Sequence, residues 1–322
     1  MRLNRLAKVS GCFLLSIILA VFAAAAGAAA ELNTSGGLNR TPSVDVIGHT
    51  ENYSVVMYDN SSGLPTSEAN AIAETSEGFI WIGSYAGLIR YDGRNFERID
   101  PSSGITSIKC LYVDSRDRLW IGTNDNGIAV MDHGELRMWG KADGMKSVHT
   151  RSIAEDQNGT IYVATTCGIA AIDTDGRFFM LEDETISNMN MLIVRKGSDG
   201  SMYGLSNFGD IFRLQDGKAV DFVPADRNPM GGCNAYLPDP DHPGQIFFEG
   251  KELGFYRAAY GDGITDVQKI DISPLQYVQQ MEIIDGKIWI CAANGVGVLE
   301  NDHFTLIENL PMNNNITHVM TD

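Results

Sequence analysis

The 322-residue chain is short of positive charge: 24 Lys and Arg stand against 41 Asp and Glu, a formal net charge of −17. Three of those basic residues (Arg2, Arg5, Lys8) and none of the acids fall in the first thirty positions, so the remainder is near −20. Phosphate backbones and anionic lipid heads need cationic surfaces, which argues against nucleic acid or a peripheral membrane coat as partner. Cysteine is scarce as well. Beyond Cys12 there are only Cys110, Cys167, Cys233 and Cys291, widely spaced and without a CxxC pair. That leaves no zinc-ligand spacing and no disulfide scaffold; free, partly buried thiols or a single bridge remain. The six histidines (His49, His133, His149, His242, His303, His318) include no i, i+4 pair. Walker loops, a GxSxG elbow and HExxH are all missing. Asp156-Gln157-Asn158-Gly159 and Asp173-Thr174-Asp175-Gly176 open like calcium loops, but Asp, Asn and Gly are also hairpin-turn residues. No catalytic residue, metal site or cofactor is expected.

Long apolar runs are confined to one place, the front end. Met1–Lys8 is basic, Gly11–Ala26 is apolar and uncharged, and Ala28-Ala29-Ala30 precedes Glu31 as a small-residue cleavage site would. Residues 1–30 read as an export signal, or as an uncleaved anchor, since Gly11–Ala30 has about the length of a bilayer span. Either reading places the rest outside the cytoplasm, at the periplasmic or extracellular face of the cytoplasmic membrane. Residues 31–52 read as a linker.

What is plentiful is glycine, 34 residues against 10 prolines, and a repeat. Phe79-Ile80-Trp81-Ile82-Gly83-Ser84 aligns with Arg118-Leu119-Trp120-Ile121-Gly122-Thr123 and with Thr160-Ile161-Tyr162-Val163-Ala164-Thr165. Ser201–Ser206, Gln245–Phe248 and Lys287–Ala292 continue the series. The aromatic anchors Trp81, Trp120, Tyr162, Tyr203, Phe247 and Trp289 are 39, 42, 41, 44 and 42 residues apart. A period near 40–45 with four strands per unit belongs to propeller blades. A β-sandwich would not repeat an aromatic at one register. In the first copy the strands are Ala71–Glu74, Phe79–Ser84, Leu88–Asp92 and Phe96–Ile99, with a crossing over Pro101–Thr106. The expected fold is an all-β propeller over residues 53–322, its anchors Trp81, Trp120 and Trp289 buried between blades and Trp139 of less importance in an outer strand. Six copies are followed by Asn315–Asp322, which matches the innermost strand of a seventh blade; Ser54–Tyr58 reads as an outer strand without a blade of its own. An incomplete seven-bladed ring, truncated at the C-terminus, follows as an expectation.

The wording of the repeat resembles a known family. Gly78-Phe79-Ile80-Trp81-Ile82-Gly83-Ser84 with Gly87-Leu88-Ile89-Arg90-Tyr91-Asp92-Gly93, Ser62-Gly63-Leu64-Pro65 and Leu119-Trp120-Ile121-Gly122-Thr123 are similar to the two-component regulator propeller repeat. The resemblance covers about Tyr53 to Asp322, and it is weak in copies four and five. It implies the extracytoplasmic sensor region of a membrane histidine kinase or diguanylate cyclase, with the chain's own downstream membrane and signalling domains as partners. None of those modules lies within these residues.

Strands that alternate in direction put the second-to-third turns on the same face as the crossings into each innermost strand. Turns then offer Tyr85, Asn124, Asp125, Asn126, Thr166, Cys167, Asn207, Phe208 and Asn294; crossings offer Glu68, Asn70, Lys109, His149, Arg151, Asn188 and Asn190. Amides with flat rings suit a small neutral solute such as an oligosaccharide, although asparagine is also a common turn residue. Two other readings stay open: a secreted propeller lyase or hydrolase acting on glycans, and a scaffold whose face or edge forms a homodimer.

Overall fold

In the computed structural model, the structure describes residues 53–66, 68–228, 235–250, 254–308, 310 and 316–321, and of the first 52 only 6–11, 18–23 and 46–49. Cys233 lies outside the described residues. The architecture is a β-propeller of six four-stranded blades, each a run of consecutive antiparallel strands. Blade one is Ala71–Glu74, Ile80–Ser84, Gly87–Tyr91 and Phe96–Arg98; blade two is Ile108–Val113, Leu119–Thr123, Ile128–Asp132 and Glu135–Trp139. Innermost strands of blades three to six are Thr150–Glu155, Met191–Lys196, Tyr236–Pro238 and Val278–Ile284.

The second strand of each blade is the apolar element of the repeat, and in blades one, two and four it is buried along its whole length. Outer strands face water on one side, as in Phe96–Arg98. The small residue after Trp-Ile has a steric reason. A Cβ on Gly83 would lie 2.5 Å from Ile108 Cγ2, and one on Gly122 would lie 2.5 Å from Cys110 Sγ and 2.6 Å from Thr150 Cγ2. Glycine there lets the innermost strand of the following blade close in.

The core is divided among the interfaces. Seven apolar clusters hold one blade to the next, for example Trp81 and Leu88 of blade one with Ile108, Leu119 and Ile121 of blade two. Trp81, Trp120 and Trp289 are 7%, 1% and 5% exposed and sit in these clusters, as their register predicts. Trp139 corrects the expectation drawn from its outer strand. It is 4% exposed and stacks on Trp120 with ring centroids 5.7 Å apart. It occupies the last position of Glu135–Trp139, where the strand turns back over blade two and its ring reaches the interface with blade three.

Among the described residues no seventh blade of four consecutive strands accompanies the six, which corrects the expected incomplete seven-bladed ring. Ile316–Thr321 stands alone as an innermost strand, touching those of blades six and one and so closing the ring. Its sheet is five-stranded and drawn from both ends of the chain: Ile316–Thr321, Leu6–Gly11, Ile18–Ala23, Tyr53–Tyr58 and Val46–His49, in that order. Tyr58 packs on Tyr91 and Phe96 of blade one, at centroid separations of 5.4 and 5.5 Å.

The calcium-like segments are hairpin turns. Asp156 Oδ1 accepts from the backbone N–H of Asn158 and Thr160, and Asp173 Oδ1 from Asp175 and Arg177, with Gly159 and Gly176 at positive φ. Cys110 and Cys291 are buried free thiols, and Cys167 is a half-buried one.

Candidate functional site

One face of the propeller is built by a repeated backbone device. In blades one, two, three, four and six the second-to-third turn hydrogen-bonds to a crossing that enters an innermost strand. Ser107 N–H donates to Tyr85 O, Asn124 to Ser107 O, Thr166 to His149 O, Asn207 to Asn190 O, and Ala293 to Gln276 O and Tyr277 O, all at 2.8–3.2 Å. The alternation of strands therefore brings the turns and crossings read from the sequence to the same face.

The side chains on that face divide into two groups. Several amides are spent on the scaffold. Asn124 Nδ2 donates to Ser107 O at 3.3 Å, Asn126 Nδ2 to Gly104 O at 2.9 Å, and Asn70 Nδ2 to Ile108 O at 3.0 Å. Asn294 is used twice: Oδ1 accepts from Gln276 N–H and Nδ2 donates to Pro274 O, both at 2.7 Å. Thr166 Oγ1 shares a hydrogen with Ser147 Oγ at 2.7 Å. Asp125, Asn188, Asn207 and His149 are exposed. Aromatic rings stand out of the face at Tyr85 (50% exposed) and Phe208 (66%), and at Tyr277 (51%). Tyr277 escaped the sequence reading. Its signal was its register in the crossing, equivalent to His149 in blade three, since both carbonyls accept from the following turn.

The second group lies at the axis. In blades two, three, four and six the first pairing of the innermost strand is broken by a bulge at its second residue, which is Lys109, Arg151, Leu192 and Gln279. A bulge leaves its residue out of the ladder and re-aims the side chain. Lys109 and Arg151 thus sit at the mouth of the central channel, and both act electrostatically on Cys110 between them. Burial pushes the Cys110 thiol up to about 12, against the pull of those two charges.

Deeper in the channel, Arg195 of blade four reaches past the short innermost strand of blade five to blade six. Its Nη1 donates to Met281 O at 2.7 Å and its Nη2 to Glu282 Oε1 at 2.9 Å. A bond between blades that are not neighbours spans the channel. Glu282 Oε1 also accepts from Gln280 Nε2 at 2.6 Å. His318, on the lone closing strand, is held neutral. Burial first, then the charges of Lys109 and Arg195, push its imidazole down to about 3. Gln280 Oε1 and His318 Nδ1 are both shut from solvent and have no hydrogen-bond partner in the protein. Tyr112, at the level of Arg195, is pushed up to about 12 by burial and by Glu155 and other acids, Glu282 among them.

Elsewhere, a groove of about 540 Å³ lies at the rim between the outer strands of blades five and six. Its Arg257 is occupied by Asp302 through two hydrogen bonds. Among the described residues no three His, Cys, Asp or Glu side chains gather as a metal site. No helix among them is long and apolar enough to cross a membrane. To a bound molecule the face and channel offer rings, hydroxyls, a few unspent amides and localised positive charge.

Residues 63–86 and 102–125 match the two-component regulator propeller family, so the chain carries repeats of that kind in blades one and two and the crossings into them. No curated protein matches the sequence. Among solved structures, a streptogramin B lyase is 19% identical with a TM-score of 0.61, the match covering 76% of this chain and 86% of that one. The extracellular domain assigned to a hybrid two component system of B. thetaiotaomicron is 20% identical with a TM-score of 0.60, over 78% of this chain and 36% of that one. A second extracellular domain from the same bacterium, assigned to a one component system, is 18% identical with a TM-score of 0.60, over 80% and 39%. The chain thus spans well under half of both extracellular domains. At such identities the likeness is one of fold.

Proposed function

We propose that this chain is the ligand-sensing propeller of a bacterial membrane signalling receptor, exported and working on the outer side of the cytoplasmic membrane. The observation that carries the reading is the pair of two-component regulator propeller repeats at residues 63–86 and 102–125. The fold shared with extracellular domains assigned to one and two component systems supports it. In this reading residues 1–30 direct export, residues 53–322 form the sensor, and a histidine kinase or diguanylate cyclase module carries the output. Binding on the face of turns and crossings, not turnover, is its activity.

The lyase likeness favours a second reading, a secreted propeller enzyme on glycans or related substrates. One experiment separates the two. The purified protein is screened by thermal shift against neutral and acidic saccharides, and every hit is incubated and analysed for products. A raised melting temperature with the ligand recovered intact supports the sensor. Steady product release overturns it in favour of the enzyme.

A further inference from the structure

The third-to-fourth turn of blade six departs from its counterparts. In blades two and four this two-residue turn is His133-Gly134 and Asp216-Gly217, both residues at positive φ and glycine in the second place. In blade six it is Asn301-Asp302, at φ +48° and +62°, so an aspartate holds the conformation that glycine adopts without steric cost. Its side chain supplies the reason. The Asp302 carboxylate crosses to blade five and accepts two hydrogen bonds from Arg257, Nη1 to Oδ1 at 2.8 Å and Nη2 to Oδ2 at 3.2 Å. The same guanidinium lies over the Phe247 ring, 5.9 Å from its centroid. The Arg257–Asp302 pair is therefore held in place by both blades, with the Asp302 side chain still 59% exposed.

This pair lines the rim groove of about 540 Å³, a volume within the roughly 300–1,000 Å³ of small-molecule sites. Gln268, Ser273 and Phe304 line it as well. Gln268 stands beside Arg257 in the ladder of blade five, and Phe304 packs against the core shared by blades five and six. Gln268 is exposed, and among the described residues its amide makes no hydrogen bond. Ser273 Oγ spends its hydrogen on Asp271 Oδ1 at 2.6 Å and is left as an acceptor. Within the groove the charges cancel, Arg257 and Lys269 against Asp271 and Asp302, in a chain whose formal net charge is −17.

We propose that this rim groove is a binding site for a neutral polyhydroxylated molecule. Adjacent hydroxyls pair with the exposed carboxylate of Asp302 and with the amide of Gln268, each of which offers two polar atoms in one plane. Ser273 Oγ accepts a further hydroxyl, and the Phe304 ring gives the C–H face of the ligand an apolar wall. The charge balance specifies neutrality: an anion meets Asp271 and Asp302, a cation meets Arg257 and Lys269. The site goes beyond the sensor reading, which places binding on the face of turns and crossings. A sugar and a sugar alcohol present the same chemistry.

The test is isothermal titration of the full chain with cellobiose, maltose, lactose, D-sorbitol, D-glucuronate and D-glucosamine. At least one of the four neutral probes should bind, with an affinity that salt leaves unchanged, and the two charged probes should bind more weakly. The disaccharide and sorbitol arms distinguish a sugar from a sugar alcohol. Asp302→Gly restores the glycine of blades two and four, so the turn keeps its shape while the carboxylate is lost. It should weaken binding about ten- to a hundredfold, the loss of a hydrogen bond to a charged group, with the unliganded melting temperature close to that of the parent. Gln268→Ala should weaken binding about two- to tenfold, as for a neutral hydrogen bond, again at parental stability. A lowered melting temperature in Asp302→Gly with binding intact would make the pair a strut between blades and overturn the proposal. No heat from any neutral probe, or tighter binding of D-glucuronate or D-glucosamine, would overturn it too. Binding that survives the Gln268→Ala/Asp302→Gly double variant but is lost in Tyr85→Ala/Phe208→Ala would place the ligand on the face, sinking the rim site while the sensor reading stands. Product release from a bound disaccharide would instead overturn the sensor reading and leave the groove as the site of binding.

Discussion

Trp120 is fixed on every side. One face of its ring stacks on Trp139, and Arg118 stands 5.2 Å from its centroid. Its Nε1 donates to Asp114 Oδ2 at 2.8 Å, and Asp114 also accepts from Arg118 Nε and from the backbone N–H of Arg116 and Arg118. Trp120→Ala should cost about 3–5 kcal/mol through lost burial and the cavity left behind, and Trp139→Ala should fall in the same class, read as the loss of unfolding free energy in urea. A small effect at Trp139 would contradict its place in the core. Burial alone would raise the pKa of Asp114, but its hydrogen bonds from Trp120 and Arg118 hold it below the usual carboxylate range. Its contribution to stability is therefore present above the unfolded carboxylate pKa near 3.9 and lost as pH falls through the lower folded value. His318 acts in a different window. The unfolded imidazole takes a proton below about 6.5 while the folded one stays neutral to about 3, so stability is lost as pH falls from 6.5 toward 3. Urea unfolding between pH 7 and 4 should show a shallower pH dependence in His318→Gln than in the parent. Equal slopes would mean that the ring is not shielded as described.

At the scale of the element, the glycine of the second strand governs how blades approach. A side chain at Gly122 would collide with Cys110 Sγ and with Cβ and Cγ2 of Thr150, on the innermost strands of its own blade and the next. Gly122→Val should destabilise by about 1–3 kcal/mol through overpacking, seen as a lower denaturant midpoint at unchanged slope. Blade three carries Ala164 at the equivalent position, so Ala164→Gly should be milder and act chiefly through backbone entropy. The turns are the complementary element. Asn294 fastens its turn to the crossing through two hydrogen bonds, to Pro274 O and from Gln276 N–H. Asn294→Ala should raise amide hydrogen exchange at Gln276 above that of the parent while leaving the blade strands protected. An unchanged exchange rate would show that the amide is no pin.

For the whole molecule, closure depends on one strand. Val319 is 4% exposed and packs with Trp289, Ile307 and Leu310 of the blade-six side, while Met320 of the same strand packs on blade one. A ring lacking this contact would expose strand edges on both sides, which favours pairing with other chains. Val319→Asp buries an unpaired carboxylate at that closure and should lower the melting temperature and promote association, checked by light scattering. A monomer with parental stability would show that the six blades hold without the seventh position. The net charge of −17 keeps such molecules apart at low salt, so the association should grow with ionic strength.

Periodicity settled much of this from the sequence. A blade is a local unit of about forty residues, its strands joined by short turns, so aromatic anchors, Asp-Gly turns and apolar second strands carry the architecture within each copy. The strand Ile316–Thr321 and the shared face of turns and crossings were legible for the same reason: alternation of strand direction is a local rule. Tertiary structure alone decided what happens between copies. Trp139 is core because its ring meets Trp120 across a sheet. The amides of Asn124, Asn126 and Asn294 are spent because their turns fold onto crossings some twenty residues away. Arg195 finds Glu282, 87 residues on, only because a closed ring sets two innermost strands across a common axis. The channel, with its unpaired Lys109 and Arg151 and the solvent-shut Gln280 Oε1 and His318 Nδ1, exists only once the circle is closed, since no single repeat contains an axis.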